Sequence, residues 1–280
     1  MNIPDLFGRG KPVFSFEFFL PKPPEDIDTF LNRVRELKTL SPDFVTLTYG
    51  AGGSARDQTI STAGRIAKEI GVETVCHLTC ITHTRPEIDA LLDRIASLGI
   101  RHLVALRGDQ PKDMSVPPPE RRDFGYARDL VAHVKKRGGF KLAVAGYPET
   151  HPEAPSAEAD LAHLVDKVKA GGDWVITQLF FDNADYFRFV ERARAAGVAA
   201  PIVPGIMPVT GYQQTKRFTQ LCGAKIPAAL AEKLEAVKDD PESVVKLGIE
   251  HATAQCRELL SRGAPGIHFY TLNRLSLIHI

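Results

Sequence analysis

Glu17 stands inside the run Val13-Phe14-Ser15-Phe16-Glu17-Phe18-Phe19. A segment so rich in aromatic and β-branched residues predicts a buried strand. An unpaired charge there is costly, so the carboxyl must be paired, exposed at a strand end, or held neutral with a raised pKa. In the last state it is a proton donor at pH 7. The competing account is a structural Glu satisfied elsewhere. Strand alternation puts Ser15, Glu17 and Phe19 on one face and Phe14, Phe16 and Phe18 on the other. The aromatic face suits packing under helices, which turns Glu17 toward the interior.

A second group is Arg107-Gly108-Asp109. If the strand continues through it, Arg107 and Asp109 share a face. The guanidinium could then hold an anion or a carbonyl, and the carboxylate could face a developing positive charge. A simple ion pair between them is the alternative. Cys76, His77, Cys80 and His83 have the residue types of a metal site, but alternation turns the two cysteines away from His77 and no second half follows, so no metal is expected. Gly50, Gly52 and Gly53 lack the Lys-Ser/Thr of a phosphate loop. No Gly-x-Ser-x-Gly elbow is present.

These residues need elements to position them. Strand-like segments recur at 12–19, 44–50, 73–80, 102–109, 141–148, 174–181, 201–208 and 266–273. Helical periodicity fills 25–40, 58–70, 86–98, 126–137, 157–170, 184–196 and 241–262. Strict alternation argues for parallel β-α units, and eight of them in this length predict a closed (β/α)8 barrel, a single domain over 1–280. Its chemistry belongs at the C-terminal strand ends. There the chain puts Thr48 and Tyr49, His77, Arg107 and Asp109, Tyr147 with His151 beyond, Gln178, and Asn273 with Arg274. An extra helix near 227–237 reads as surface decoration. Val116-Pro117-Pro118-Pro119 reads as a rim or lid after the fourth strand.

The 280 residues are 44% hydrophobic and 25% charged, enough apolar material for one large core. The formal charge of +1 implies no basic face, so nucleic acid is not an expected partner. No apolar run approaches bilayer-spanning length, and no membrane association is expected. The N-terminus lacks a signal-peptide core. The four cysteines form no disulfide framework, which fits a cytoplasmic location.

Eight ordered motifs carry a resemblance over essentially the whole chain. They are Phe16-Glu17-Phe18-Phe19, Thr48-Tyr49-Gly50-Ala51, His77-Leu78-Thr79-Cys80, Leu106-Arg107-Gly108-Asp109, Tyr147-Pro148-Glu149-x-His151-Pro152, Thr177-Gln178-x-Phe180-Phe181-Asp182, Pro204-Gly205-Ile206-x-Pro208 and His268-Phe269-Tyr270-Thr271-Leu272-Asn273-Arg274. The chain resembles the methylenetetrahydrofolate reductases of the short bacterial type, which consist of the catalytic barrel alone. The resemblance implies a (β/α)8 flavoprotein with FAD at the C-terminal face. It implies ping-pong reduction of 5,10-methylenetetrahydrofolate to 5-methyltetrahydrofolate with NADH or NADPH as hydride donor, and a homo-oligomer. A non-catalytic or truncated flavin- or folate-binding barrel, and a related flavin-dependent amine dehydrogenase, are the alternatives.

Residue by residue, the resemblance implies that Glu17 is the general acid, its apolar setting keeping it protonated at neutral pH, and that Asp109 is the carboxylate beside flavin and folate. Cofactor contacts fall on Thr48, Tyr49, Ala51, His77, Arg107, Gly108, Asp109, Ala127, Tyr147, His151, Ala154, Asp160, His163 and Lys167. Substrate contacts fall on Asp109, Gln178, Tyr186, Phe218 and Arg274. Two departures stand out. His163 and Asp166 replace Asn and Arg of bacterial relatives, and Asp166 beside a diphosphate is expected to repel it. The tail 275–280 does not resemble the family, and the final C-terminal helix is expected to be missing.

Overall fold

The computed structural model describes residues 1–21, 26–48, 53–110 and 116–273, apart from the side chains of 53–55. The strands are β1 (Val13–Phe18), β2 (Phe44–Leu47), β3 (Thr74–Thr79), β4 (His102–Leu106), β5 (Lys141–Gly146), β6 (Trp174–Leu179), β7 (Ile202–Ile206) and β8 (Gly266–Tyr270). Each pairs in parallel with its neighbours, and β8 closes on β1, so the sheet is a closed eight-stranded barrel. The helices are α1 (Ile3–Leu6), α2 (Ile27–Lys38), α3 (Gly53–Arg65), α4 (Arg85–Ser97), α5 (Ala127–Arg137), α6 (Ala157–Lys169), α7 (Asn183–Ala195), α8 (Tyr212–Cys222), α9 (Ala228–Ala236) and α10 (Pro241–Ser261). The fold class expected from alternation is the fold observed. The tail beyond Asn273 lies outside the described residues.

Local signals explain the helix starts. Asp26, Ser156, Asp182 and Asp240 each accept a backbone N–H of the first turn that follows. Thr84 and Glu87 close a capping box that spans Pro86 in the first turn.

Alternation along the strands sorts the side chains into two layers. Phe16 and Phe18 face outward into the core shared with Phe30, Leu31 and Val34 of α2. The inward residues divide by height. Val13, Phe44, Val75, Val104, Ala143, Trp174, Ile176 and Val203 fill the lower axis. The short α1 plugs that end with Ile3 and Leu6, and its Ile3 N–H donates to His102 Nε2 at 3.2 Å. Four residues are too few for periodicity to reveal α1, and its apolar side chains acquire a role only once the barrel closes. Above this plug the inward positions turn polar: Ser15, Glu17, Thr46, His77, Gln178 and His268.

One expectation needs correction: α9 is more than decoration, because Leu230 and Leu234 are buried with Leu179, Phe181 and Tyr212 in a cluster at the upper end of the barrel. The proline segment runs into a short turn at Pro119–Arg121, and the Arg122 guanidinium donates to the Pro117 carbonyl.

Gly205 marks a close approach between strands. A Cβ there would lie 2.3 Å from the Thr177 carbonyl oxygen and 2.6 Å from the Tyr270 ring. Gly205→Ala is therefore expected to destabilise the barrel by about 1–3 kcal/mol or more, read as a lowered urea midpoint against the unaltered chain.

Candidate functional site at the barrel mouth

Glu17 lies on the inward face, 7% exposed. Barrel closure brings three partners to one of its oxygens. Thr46 Oγ1 donates to Oε2 at 3.3 Å, His268 Nε2 lies 3.4 Å away and His77 Nε2 lies 3.3 Å away. Ser15 Oγ sits 2.8 Å from His268 Nδ1, which orients that ring from its other side. The strand register produces this directly, since Ser15 pairs with His268 and Glu17 with both Thr46 and Tyr270. Glu17 thus faces the barrel axis, as strand alternation predicts.

The expectation that Glu17 is held neutral does not hold. Burial pushes its carboxyl up, but the nearby His77, with the hydrogen bond from the His268 side, outweighs that and brings it down to about 2. Apolar neighbours on the opposite face of β1 say nothing about what β3 and β8 place across the axis.

The second group also departs from its expectation. β4 ends at Leu106, and Gly108 turns with φ +88°, so alternation no longer relates Arg107 to Asp109. Asp109 is exposed, and Arg107 pairs instead with Glu153, Nη1 to Oε2 at 2.6 Å and Nη2 to Oε1 at 3.0 Å.

A polar band continues from Arg107 over β5 and α6. The Tyr147 and His151 rings meet edge to face with centroids 4.6 Å apart. Burial pushes the Tyr147 phenol up, away from ionisation at neutral pH. The Asp160 carboxylate accepts the His151 N–H at 3.0 Å, and the Ala154 N–H bonds the His151 carbonyl. Lys167 Nζ donates to the Ala145 carbonyl at 2.6 Å; burial pushes the amine down to about 8, with Asp160 acting in the opposite sense. Ala127 opens α5 beside this band, and His163 stacks on Tyr126 at 6.0 Å. The charge of Asp166 is answered by Arg128 Nη1 at 2.7 Å, so it does not confront the band as an unpaired anion.

Gln178 stands on β6 above the inward Trp174 and Ile176, and Phe218 lies half-buried on α8 against the upper cluster. Thr48 follows β2 at the mouth. Tyr186 is a correction: it is 3% exposed, stacks on Phe180, and its hydroxyl donates to the Ile202 carbonyl at 2.8 Å. That places it in the wall between α7 and the start of β7, away from the mouth. Tyr49, Ala51 and Arg274 lie outside the described residues. His268, Thr46 and Glu153 were missed as site residues; the alternation of His268 with Tyr270 was the available signal for the first.

Cys76 and Cys80 are buried in the outer layer, opposite His77, as alternation requires. Among the described residues no group of three or more His, Cys, Asp or Glu side chains is placed to hold a metal ion, and no helix is long and apolar enough to cross a membrane.

A closed barrel with a titratable cluster at its axis and a cationic, aromatic rim defines a (β/α)8 protein with a ligand-type site at the C-terminal mouth. A family model described as methylenetetrahydrofolate reductase matches residues 2–280. The chain belongs to that family. It is 41% identical to the 5,10-methylenetetrahydrofolate reductase of Escherichia coli K12, covering 96% of this chain and 89% of the relative. It is 41% identical to methylenetetrahydrofolate reductase (NADH) 1 of Arabidopsis thaliana, covering 97% of this chain and 48% of the relative, so it spans about half the length of that plant protein. Among solved structures, a Clostridium thermocellum protein described as binding two copies of 5-methyl-5,6,7,8-tetrahydrofolic acid shares the fold, with a TM-score of 0.63 at 13% identity over 96% of this chain and 92% of that one.

The sign of the Glu17 shift sets a pH dependence. Its folded pKa, about 2, lies below the ordinary 4.5. The native state thus binds fewer protons, and the carboxylate's contribution to stability is present above pH 4.5 and fades as pH falls through 2. Converted, that contribution is on the order of 3 kcal/mol. Urea midpoints of the unaltered chain and Glu17→Gln, compared between pH 6 and 3, should converge as pH drops; parallel curves would show that the charge is not stabilised there.

Proposed function

We propose that this chain is a single catalytic barrel that reduces 5,10-methylenetetrahydrofolate to 5-methyltetrahydrofolate with NADH or NADPH, in ping-pong fashion and with FAD as cofactor. Family membership supports the substrate. The observation that carries the chemistry is the buried Glu17–His77–His268 cluster at the mouth.

The residues present fit an anionic, aromatic cofactor. His77 Nε2 is buried and lies close to Glu17 without an aligned hydrogen bond, and Arg107 and Lys167 supply cationic groups along the rim. Thr48, His77, Arg107, Gly108, Asp109, Ala127, Tyr147, His151, Ala154, Asp160, His163 and Lys167 would hold it, joined by Tyr49 and Ala51. Bound FAD supplies the capacity to accept a hydride from the nicotinamide and pass it to the folate's one-carbon unit.

The protein's own contribution is the proton. Opening the bridging five-membered ring of the folate to an iminium requires protonating the departing amine nitrogen. In the open cluster Glu17 is a carboxylate beside the His77 and His268 rings. Covering the mouth removes water, and a drier site favours the neutral carboxylic acid over the carboxylate. Glu17 Oε2 then delivers a proton to the nitrogen, with Ser15 holding the His268 ring beside it. Asp109 faces the resulting cation. Gln178 hydrogen-bonds the pterin, Phe218 stacks on substrate and nicotinamide in turn, and Arg274 meets the folate carboxylates. A homo-oligomer and a cytoplasmic location complete the reading; the four free cysteines support the latter.

The purified protein should be yellow, with a flavin band bleached anaerobically by NADH and restored by methylenetetrahydrofolate. Protein that stays colourless and fails to bind added FAD would defeat the proposal. Glu17→Gln should retain flavin reduction while the folate half-reaction slows by about 10²–10⁴-fold; equal loss of both halves would remove Glu17 from its acid role.

Lys167 generates a separate test. Below about pH 8 its amine is protonated and attracts a diphosphate, and above that value the attraction is lost. FAD affinity measured by fluorescence quenching should weaken as pH rises through 8, and Lys167→Met should flatten that profile.

A further inference from the structure

Glu153 has no part in the proton chemistry, and it lies beyond the strands on the loop between β5 and α6. It is nevertheless the partner of the guanidinium at the end of β4. Arg107 has five N–H donors. One on Nη1 and one on Nη2 go to the two oxygens of Glu153, at 2.6 and 3.0 Å, and Nε–H goes to the Gly108 carbonyl at 3.1 Å. Three fixed bonds on a planar group leave no rotational freedom, and the two remaining N–H groups point in set directions.

The pair is not placed for stability. The Glu153 side chain is 58% exposed, and exposed ion pairs contribute little to folding. Its consequence is geometric. The Glu153 N–H donates to His151 Nδ1 at 3.0 Å, so the same residue also orients the imidazole that packs on Tyr147. The loop between them contains Thr150 at φ +94°, an unfavourable conformation for a residue with a side chain. The loop's contacts at both ends hold it there: Glu153 to Arg107 on one side, and the Glu149 carboxylate accepting the Lys225 N–H at 3.1 Å on the other.

Resting on the reading that the rim binds FAD, we propose that Glu153 is a positioning residue for the cofactor. It fixes the plane of the Arg107 guanidinium and joins the loop of Tyr147 and His151 to the end of β4, so that the rim is assembled before the anionic ligand arrives. The opposite role is conceivable for such a carboxylate, since it could occupy Arg107 at the ligand's expense, and the two roles predict opposite signs. The preorganised geometry, with two guanidinium N–H groups left free, favours assembly over competition.

The experiment is an FAD titration of cofactor-stripped protein, followed by flavin fluorescence, for the unaltered chain, Glu153→Gln, Arg107→Lys and the double variant. Thermal midpoints of the stripped proteins check folding. Glu153→Gln should weaken FAD binding by about tenfold. In the Arg107→Lys background, which cannot accept a bidentate partner, the same change should have little further effect, because the two residues act as a unit. Tighter binding in Glu153→Gln would show competition and overturn the proposal. Additive losses, or no loss, would also overturn it, by showing that Glu153 does not act through Arg107. Absence of FAD binding in the unaltered chain would instead defeat the flavin reading on which the proposal rests, and the proposal with it.

Discussion

Enclosing Glu17 at the upper axis of the barrel takes a carboxylate out of water, and the neighbours that the strands bring to it all hold or donate protons. Thr46, His77 and His268 surround one oxygen from three different strands, and Ser15 braces His268 from behind. A buried charge that is hydrogen-bonded on several sides is tolerated where a lone one is not. The rest of the interior is organised around that requirement. Below the cluster the axis is filled with Val, Phe, Ile and Trp side chains and sealed by α1. Above it the mouth opens to the rim. The apolar plug closes the lower side, so the cluster faces the mouth alone.

The rim is built on different terms. Its ionic groups are half-buried or exposed, and most of them are already engaged: Arg107 with Glu153, Lys167 with a strand carbonyl, Asp160 with the His151 amide. Such contacts contribute modestly to folding. They hold loops in place on a rigid barrel, where positional errors of an ångström matter for a bound ligand. Asp166 illustrates how such a rim absorbs a change of charge. Arg128 on the adjacent helix takes it as a partner, so a residue that looks repulsive in the sequence is neutralised in the fold.

Fold and function stand on separate supports in this protein. The closed barrel is shared with proteins that are only 13% identical, and that likeness alone assigns no chemistry. What distinguishes this barrel is its site: an axial carboxylate held against two histidine rings, beside a cationic and aromatic rim. Membership of the methylenetetrahydrofolate reductase family joins the two, because the motifs that carry the resemblance are the same segments that end at the mouth.

The sequence by itself determined the alternation of strands and helices, and therefore the barrel and its functional end. It also determined that Glu17 points inward, because facing is a local property with a period of two. The same reasoning failed past Leu106, where the Gly108 turn interrupts the period, and it had no purchase on Tyr186, whose hydroxyl is used by the backbone of β7. Only the tertiary structure decided who meets Glu17. Thr46, His77 and His268 reach it through neighbouring strands and barrel closure, the last from 251 residues away. A carboxyl's charge depends on such neighbours within a few ångströms, and chain order does not record them until the sheet closes.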